Sequence, residues 1–279
     1  MAANIITDAI KFIDTTGASY GVKHAANKPR VSSMPYLYDI AVGNISGHEV
    51  FFALGYNPDI DNIREDLIEF GGTYIFPPAG GIQMKITSSS ANDAVAGTGV
   101  RTVDIDYLDN THAPQSETIT MNGITPVNTV ATNILRVQKL HTETAGSGGM
   151  ADGTIILTDI AGTATYAQIT AGGNYSRCAI FTVPAGKTAY IVNWNAGVGG
   201  AASGKFGEFT LRSTSDHKGN LSPGIFQFKK IAIAQDGAGG GEILIPIKVP
   251  ATADIKISAV SDSGTANAIC AAYFEGWLE

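Results

Sequence analysis

From Ile82 to its last residue the chain is written as short apolar–polar alternations, broken by Gly, Pro, Asn or Asp about every 10–15 residues. No 3.6-residue period intervenes, so parallel strand–helix–strand units are excluded and antiparallel sheets are required. Val100–Leu108 is the clearest case: Val103, Ile105 and Tyr107 share one face, and Thr102, Asp104 and Asp106 the other. Ile82–Thr87 alternates in the same way, and Thr118–Met121 ends at Asn122-Gly123, a strong tight-turn pair. Further strands are expected at 130–142, 153–159, 163–169, 176–183, 187–195, 206–215, 225–235, 242–249, 254–261 and 267–277. The fold class that follows is all-β, with antiparallel β-sandwich or jelly-roll domains and at most one or two short helices.

The strand grammar divides the chain at Thr170–Asn174, where Thr-Ala-Gly-Gly-Asn breaks it. A β-rich domain is expected over 36–170 and a C-terminal sandwich over 171–279. Residues 1–35 lack a clear period beyond a short amphipathic turn around Ile5–Ile13, and read as an irregular arm lying on another subunit. The segment 58–72 reads as a helix: Asp61 or Asn62 would cap it, Glu65 and Asp66 would favour its first turn, and Gly71-Gly72 would stop it. Gly-rich stretches at 145–149, 197–204 and 237–241 read as loops, or as places where neighbouring subunits approach closely.

Composition limits the function. Charged residues are 15% of the 279, well under the roughly 25% of an average domain, while 33 glycines are in excess. With 44% apolar residues and a net charge of −7 the chain can build a core, so disorder is excluded. No window approaches about 18 consecutive apolar residues, and the N-terminus lacks a secretory pattern, so membrane insertion is not expected. The acidic balance and the absence of a Lys/Arg run argue against a nucleic-acid partner. Cys178 and Cys270 each lie in an apolar run, outside any metal-ligand spacing, and read as buried thiols.

Reactive groupings are scarce. Nucleophile elbows, HExxH, phosphate-cradling loops and dinucleotide fingerprints are all missing. His24, His48, His112, His141 and His217 are scattered without ligand spacing. Asp104 and Asp106 lie about 7 Å apart on one strand face, a separation glycosidic acid–base pairs use, but they also fit the polar face of a half-buried strand. Asp59–Asn62 begins like a calcium loop but lacks its central Gly and distal Glu. The expectation is therefore a non-enzyme with no catalytic, cofactor or metal residues. Aromatics in the C-terminal half, Trp194, Phe206 and Phe226 foremost, are the residues expected to contact a glycan or a partner, alongside loops 197–206, 216–224 and 236–241.

One stretch carries a resemblance. The text at 82–145, with SSSANDAVAGTGVRTVDIDYLD, ETITMNGITPV and LRVQKLHTETAG, resembles a family of structural proteins of tailed, podovirus-like bacteriophages, as does 171–195. The resemblance spans roughly residues 70–279. It implies a virion component made in the host cytoplasm: a head decoration or fibre, neck or tail accessory subunit. The partners it implies are other copies of itself, with a trimer the expected form, and capsid, portal/adaptor or tail proteins. Host-surface glycan is the alternative partner, as for a fibre. A charge-poor β chain suits that role, because its faces can be buried without stranding charges.

Overall fold

The structure is a computed structural model. It describes residues 36–199, 206–235, 237–262 and 268–279, together with the backbone of four two-residue strands nearer the N-terminus. The chain divides into two compact units, Met1–Ser46 and Gly47–Glu279. In the first, β1 (Phe12–Ile13) pairs with β2 (Ser19–Tyr20), β3 (His24–Ala25) pairs with β4 (Lys28–Pro29), and α1 (Tyr36–Ala41) follows. The expected turn at Ile5–Ile13 falls mostly outside the described residues, and its last two, Phe12 and Ile13, are strand.

The second unit is built entirely from strands. First come β5 (Glu49–Ile60), β6 (Glu65–Asp66), β7 (Met84–Ser88), β8 (Val100–Asp109) and β9 (Pro114–Thr120). Then follow β10 (Val127–Asn128), β11 (Ile134–Ala145), β12 (Ile155–Asp159), β13 (Thr165–Ile169) and β14 (Ile180–Thr182). The chain closes with β15 (Ala189–Gly199), β16 (Gly207–Ser213), β17 (Gln227–Ala234), β18 (Gly237–Val249), β19 (Asp254–Ser261) and β20 (Ala268–Leu278). They form four antiparallel sheets: β18-β15-β20-β5; β14-β19-β16-β17 with β6 on β19; β10-β7-β12-β13; and β11-β8-β9. The all-β expectation is met. Prolines inside strands, Pro58, Pro114 and Pro246, sit on the edge strands β5, β9 and β18, where a missing N–H costs no ladder bond.

Two cores result. The first two sheets enclose one, with Phe209, Phe274, Ile60, Leu67, Trp194 and Ile257 among its members. The other two enclose a second, with Met84, Ile86, Val103, Ile105, Ile134, Leu140 and Ile155. The second is an insertion: β5 and β6 precede it in sequence yet belong to the sheets completed by β14–β20. The break at 170–174 is a turn, but the contents of the C-terminal sandwich begin at Glu49.

Segment 58–72 is not a helix. Pro58–Ile60 finish β5, Glu65-Asp66 form β6, and Leu67 and Ile68, both wholly buried, belong to the first and second core respectively. Adjacent residues facing opposite cores are a strand's alternation, which a helix cannot supply. Of the two acids expected to favour a helix start, Glu65 accepts from Asn57 Nδ2 and the Gly72 N–H, while Asp66, like Glu69, is spent on a long-range pair. Asp66 takes Lys256 Nζ at 2.8 Å, Ser258 Oγ at 2.5 Å and the Tyr74 N–H, while Arg177 bonds Glu69 at 2.5 Å. Gly237–Gly241 is likewise strand, paired with Trp194–Val198, rather than loop. The close approach it permits is within the chain, since a Cβ on Gly240 would lie 2.6 Å from the Trp194 carbonyl oxygen.

Candidate functional site

The motif that carries the family resemblance resolves into a structural node. Asp93, the acid of the SSS-x-x-D text, is fully buried. It accepts hydrogen bonds from Ser88 Oγ (2.5 Å) and from the backbone N–H groups of Val100 (2.8 Å), Asp152 (2.9 Å) and Gly153 (2.9 Å). The Gly-Thr-Gly that follows lies against this carboxylate: a Cβ on Gly99 would sit 2.1 Å from Asp93 Oδ1, and one on Gly97 would meet the Asn92 carbonyl oxygen at 1.9 Å. These residues bind the chain to itself and do no visible chemistry.

A cleft of about 530 Å³ opens where the two cores meet. Arg136 of β11 spans that junction, pairing bidentately with Asp254 of β19 at 2.9 and 3.2 Å, and stacking over the Phe76 ring at 4.6 Å. Phe76 and Phe226 stack with centroids 6.1 Å apart. His112 and Thr252, the non-glycine residues with positive φ (61° and 65°) among those described, both line the cleft. Such backbone is costly and persists only where its surroundings impose it. Here the Val183–Gly186 hairpin imposes it: Ala185 N–H donates to the His112 carbonyl, and Thr252 N–H donates to that of Val183. Burial, with the Arg136 guanidinium alongside, holds the His112 imidazole below its ordinary pKa, so it is neutral at pH 7.

The three aromatics expected to make contacts fare differently. Trp194 is 4% exposed and belongs to the first core, so it is unavailable to a glycan or partner. Its alternation in β15 turns it inward, where its large apolar surface is best buried. Phe206 is exposed, beside β16. Phe226 lines the cleft, but its ring also covers Lys256, whose Nζ lies 4.4 Å from the centroid.

The polar face of β8 brings together residues far apart in sequence. Asp104 stands opposite His141 of β11 in the ladder, with His141 Nε2 4.0 Å from Asp104 Oδ2. Asp106 stands opposite Lys139. Asp104, His141 and Glu143 present ligand-capable atoms within 4.8 Å of one another, the set among the described residues that could hold a metal ion. Spacing along the chain could not reveal it, because the pairing needs the β8–β11 register. Alternation did place Asp104 outward, which was the usable half of the signal.

No protein-family model matches the chain, and no curated protein matches it by sequence. Among solved structures, a chain from the structure of infectious bursal disease virus Gt strain aligns over 88% of this chain and 78% of its own, at 8% identity and a TM-score of 0.21. At that score the likeness supports neither a fold nor a function assignment.

Proposed function

We propose that the chain is a non-enzymatic structural subunit of a bacteriophage virion, acting through homo-oligomeric assembly and docking on the particle. The observation that carries the assembly reading is an apolar projection at a sheet edge. Along β18 the ladder to β15 jumps from Ile247 opposite Ile191 to Glu242 opposite Asn193, leaving Ile243–Pro246 outside it. Ile243 turns into the core, while Leu244 and Ile245 stand 93% and 81% exposed. Neighbouring β17 adds exposed Phe228, Ile231 and Ile233, and β17 and β18 are both outer strands of their sheets. Open edges with apolar side chains are templates for another chain, and burying two such side chains contributes about 1.5–3 kcal/mol each.

The same chain offers a seat for that projection. On the outer face of the β18-β15-β20-β5 sheet, Gly197, Gly199 and Ala271 leave an apolar groove of about 610 Å³ flanked by Leu54, Ile269 and Tyr273. A projection from one copy seated in the groove of the next is a head-to-tail contact, which closes into a ring such as a trimer when the rotation permits. The virion setting draws on the motif text at 82–145. Native mass spectrometry tests the reading: the wild-type chain should run as a closed multimer, and Leu244→Asp with Ile245→Asp as a folded monomer that still melts cooperatively. A wild-type chain monomeric throughout the micromolar range would overturn it.

A second reading, capture of host-surface glycan, is favoured by the cleft at the core junction, where Phe76, Phe226, Asn110, Asn220 and the neutral His112 converge. Saturable binding on a glycan array, lost in Phe226→Ala, would support it. Binding that survives Phe226→Ala would move any glycan away from this cleft.

A further inference from the structure

We infer that Asp104, His141 and Glu143 form a binding site for a first-row divalent cation of the zinc type. The geometry comes from an irregularity in the β8–β11 ladder. His141 faces Asp104 and Thr142 faces Val103, but the next rung pairs Thr144 with Thr102, so Glu143 is an extra residue in β11. A bulge of this kind re-aims side chains. Alternation already puts Glu143 on the face of its i−2 neighbour His141, the bulge leaves it without a partner on β8, and the three ligand atoms converge within 4.8 Å.

A second observation is independent of that convergence. Asp104 Oδ1 and His141 Nδ1 are buried atoms with no hydrogen-bond partner among the described residues. Buried polar atoms are nearly always hydrogen-bonded, so two orphans facing each other on one rung point to a missing group. The other polar atoms of the same two side chains, His141 Nε2 and Asp104 Oδ2, stand 4.0 Å apart, beyond a hydrogen bond. A cation bound at about 2.0–2.2 Å would draw one carboxylate oxygen and one imidazole nitrogen of this pair together.

The donor set selects the cation class. Two carboxylates alone would suit calcium or magnesium, but an imidazole nitrogen favours zinc and its neighbours in the first transition row. Three protein ligands leave at least one coordination position, and Glu143 is exposed, so that position opens outward. Calorimetric titration of the full, EDTA-stripped chain with zinc chloride tests the site. One zinc should bind per chain, calcium should give no saturable heat, and His141→Gln and Glu143→Gln should each weaken zinc at least about tenfold, since losing even an outer-shell partner commonly costs about 10–100-fold. Glu143 is at the surface, so Glu143→Gln reads binding without disturbing the fold. Absence of saturable one-to-one binding would overturn the site, and so would unchanged affinity in both variants, which would assign zinc to another histidine.

Discussion

The two sandwiches obey the same strand grammar but finish their surfaces in opposite ways. In the inserted sandwich the loops are closed by the chain's own acids. Asp93 gathers four donors, Asp159 holds Thr163 and Ala164, and Asp109 holds Thr111 and Ala113. The Thr111 hydroxyl holds the Asp109 carboxyl below its ordinary pKa, and the Ala164 N–H does the same for Asp159. Its exposed large apolar residues, such as Val95, Ile124 and Val130, are single residues in loops and turns. In the outer sandwich, Ile63, Phe206 and Ile225 apart, they fall instead on strands: Val50, Phe52 and Leu54 of β5, Ile231 and Ile233 of β17, Leu244 and Ile245 of β18 among them. Polar closure makes a self-sufficient unit, whereas apolar edges leave work for a neighbour.

That contrast is broken most sharply by separating assembly from stability. Leu244→Asp with Ile245→Asp should abolish multimers in sedimentation while the monomer keeps its cooperative urea transition, losing only what assembly supplies by mass action. Asp93→Ala should do the reverse. It removes the acceptor for three backbone N–H groups, two of them buried, and should cost about 3–5 kcal/mol in urea unfolding with stoichiometry unchanged. If Asp93→Ala dissociated the multimer, or the edge double variant unfolded the chain, the division of labour would fail.

Legibility followed the same line. The inserted sandwich was readable because its strands are half-buried and alternate: Val103, Ile105 and Tyr107 lie inward as the pattern demands. The outer sandwich is legible over β15–β20 but not at its opening strands. β5 alternates too, but its Gly55 and Pro58 masked a twelve-residue strand. Gly55 is there because a Cβ would lie 2.4 Å from the Leu67 carbonyl oxygen, a constraint no local pattern displays. The misread helix at 58–72 failed because Asp66 and Glu69 serve partners about 190 and 110 residues away, which overrides local propensity. The metal triad was hidden for a related reason: Asp104 meets His141 and its i+2 neighbour Glu143 only through the β8–β11 register.

Alkaline unfolding compares the two cores next. Burial pushes the Cys270 thiol of the outer core up to about 12, and that of Cys178, beside the inserted core, up to about 11. Both exceed the ordinary value of 9.0, so the folded state keeps its protons where the unfolded chain loses them. The stabilisation is fully present below pH 9 and is lost as pH rises towards each folded value, at up to about 1.4 kcal/mol per pH unit per thiol. Replacing Cys270 by Ser should flatten the decline between pH 9 and 12 more than replacing Cys178. Equal slopes in the two variants would mean that both thiols meet similar surroundings.

The smallest effect is expected where the sandwiches join. His112 holds a left-handed backbone that glycine adopts freely, so His112→Gly should raise stability by about 1 kcal/mol, the low end of such strain. Its carbonyl still accepts the Ala185 N–H, so the hairpin contact survives the change. What the variant removes is the neutral imidazole at the mouth of the cleft. A gain in stability accompanied by loss of glycan binding would tie the strain to recognition. A gain with binding unchanged, or with none to lose, would leave His112 as part of the seam that locks the inserted sandwich onto the outer one.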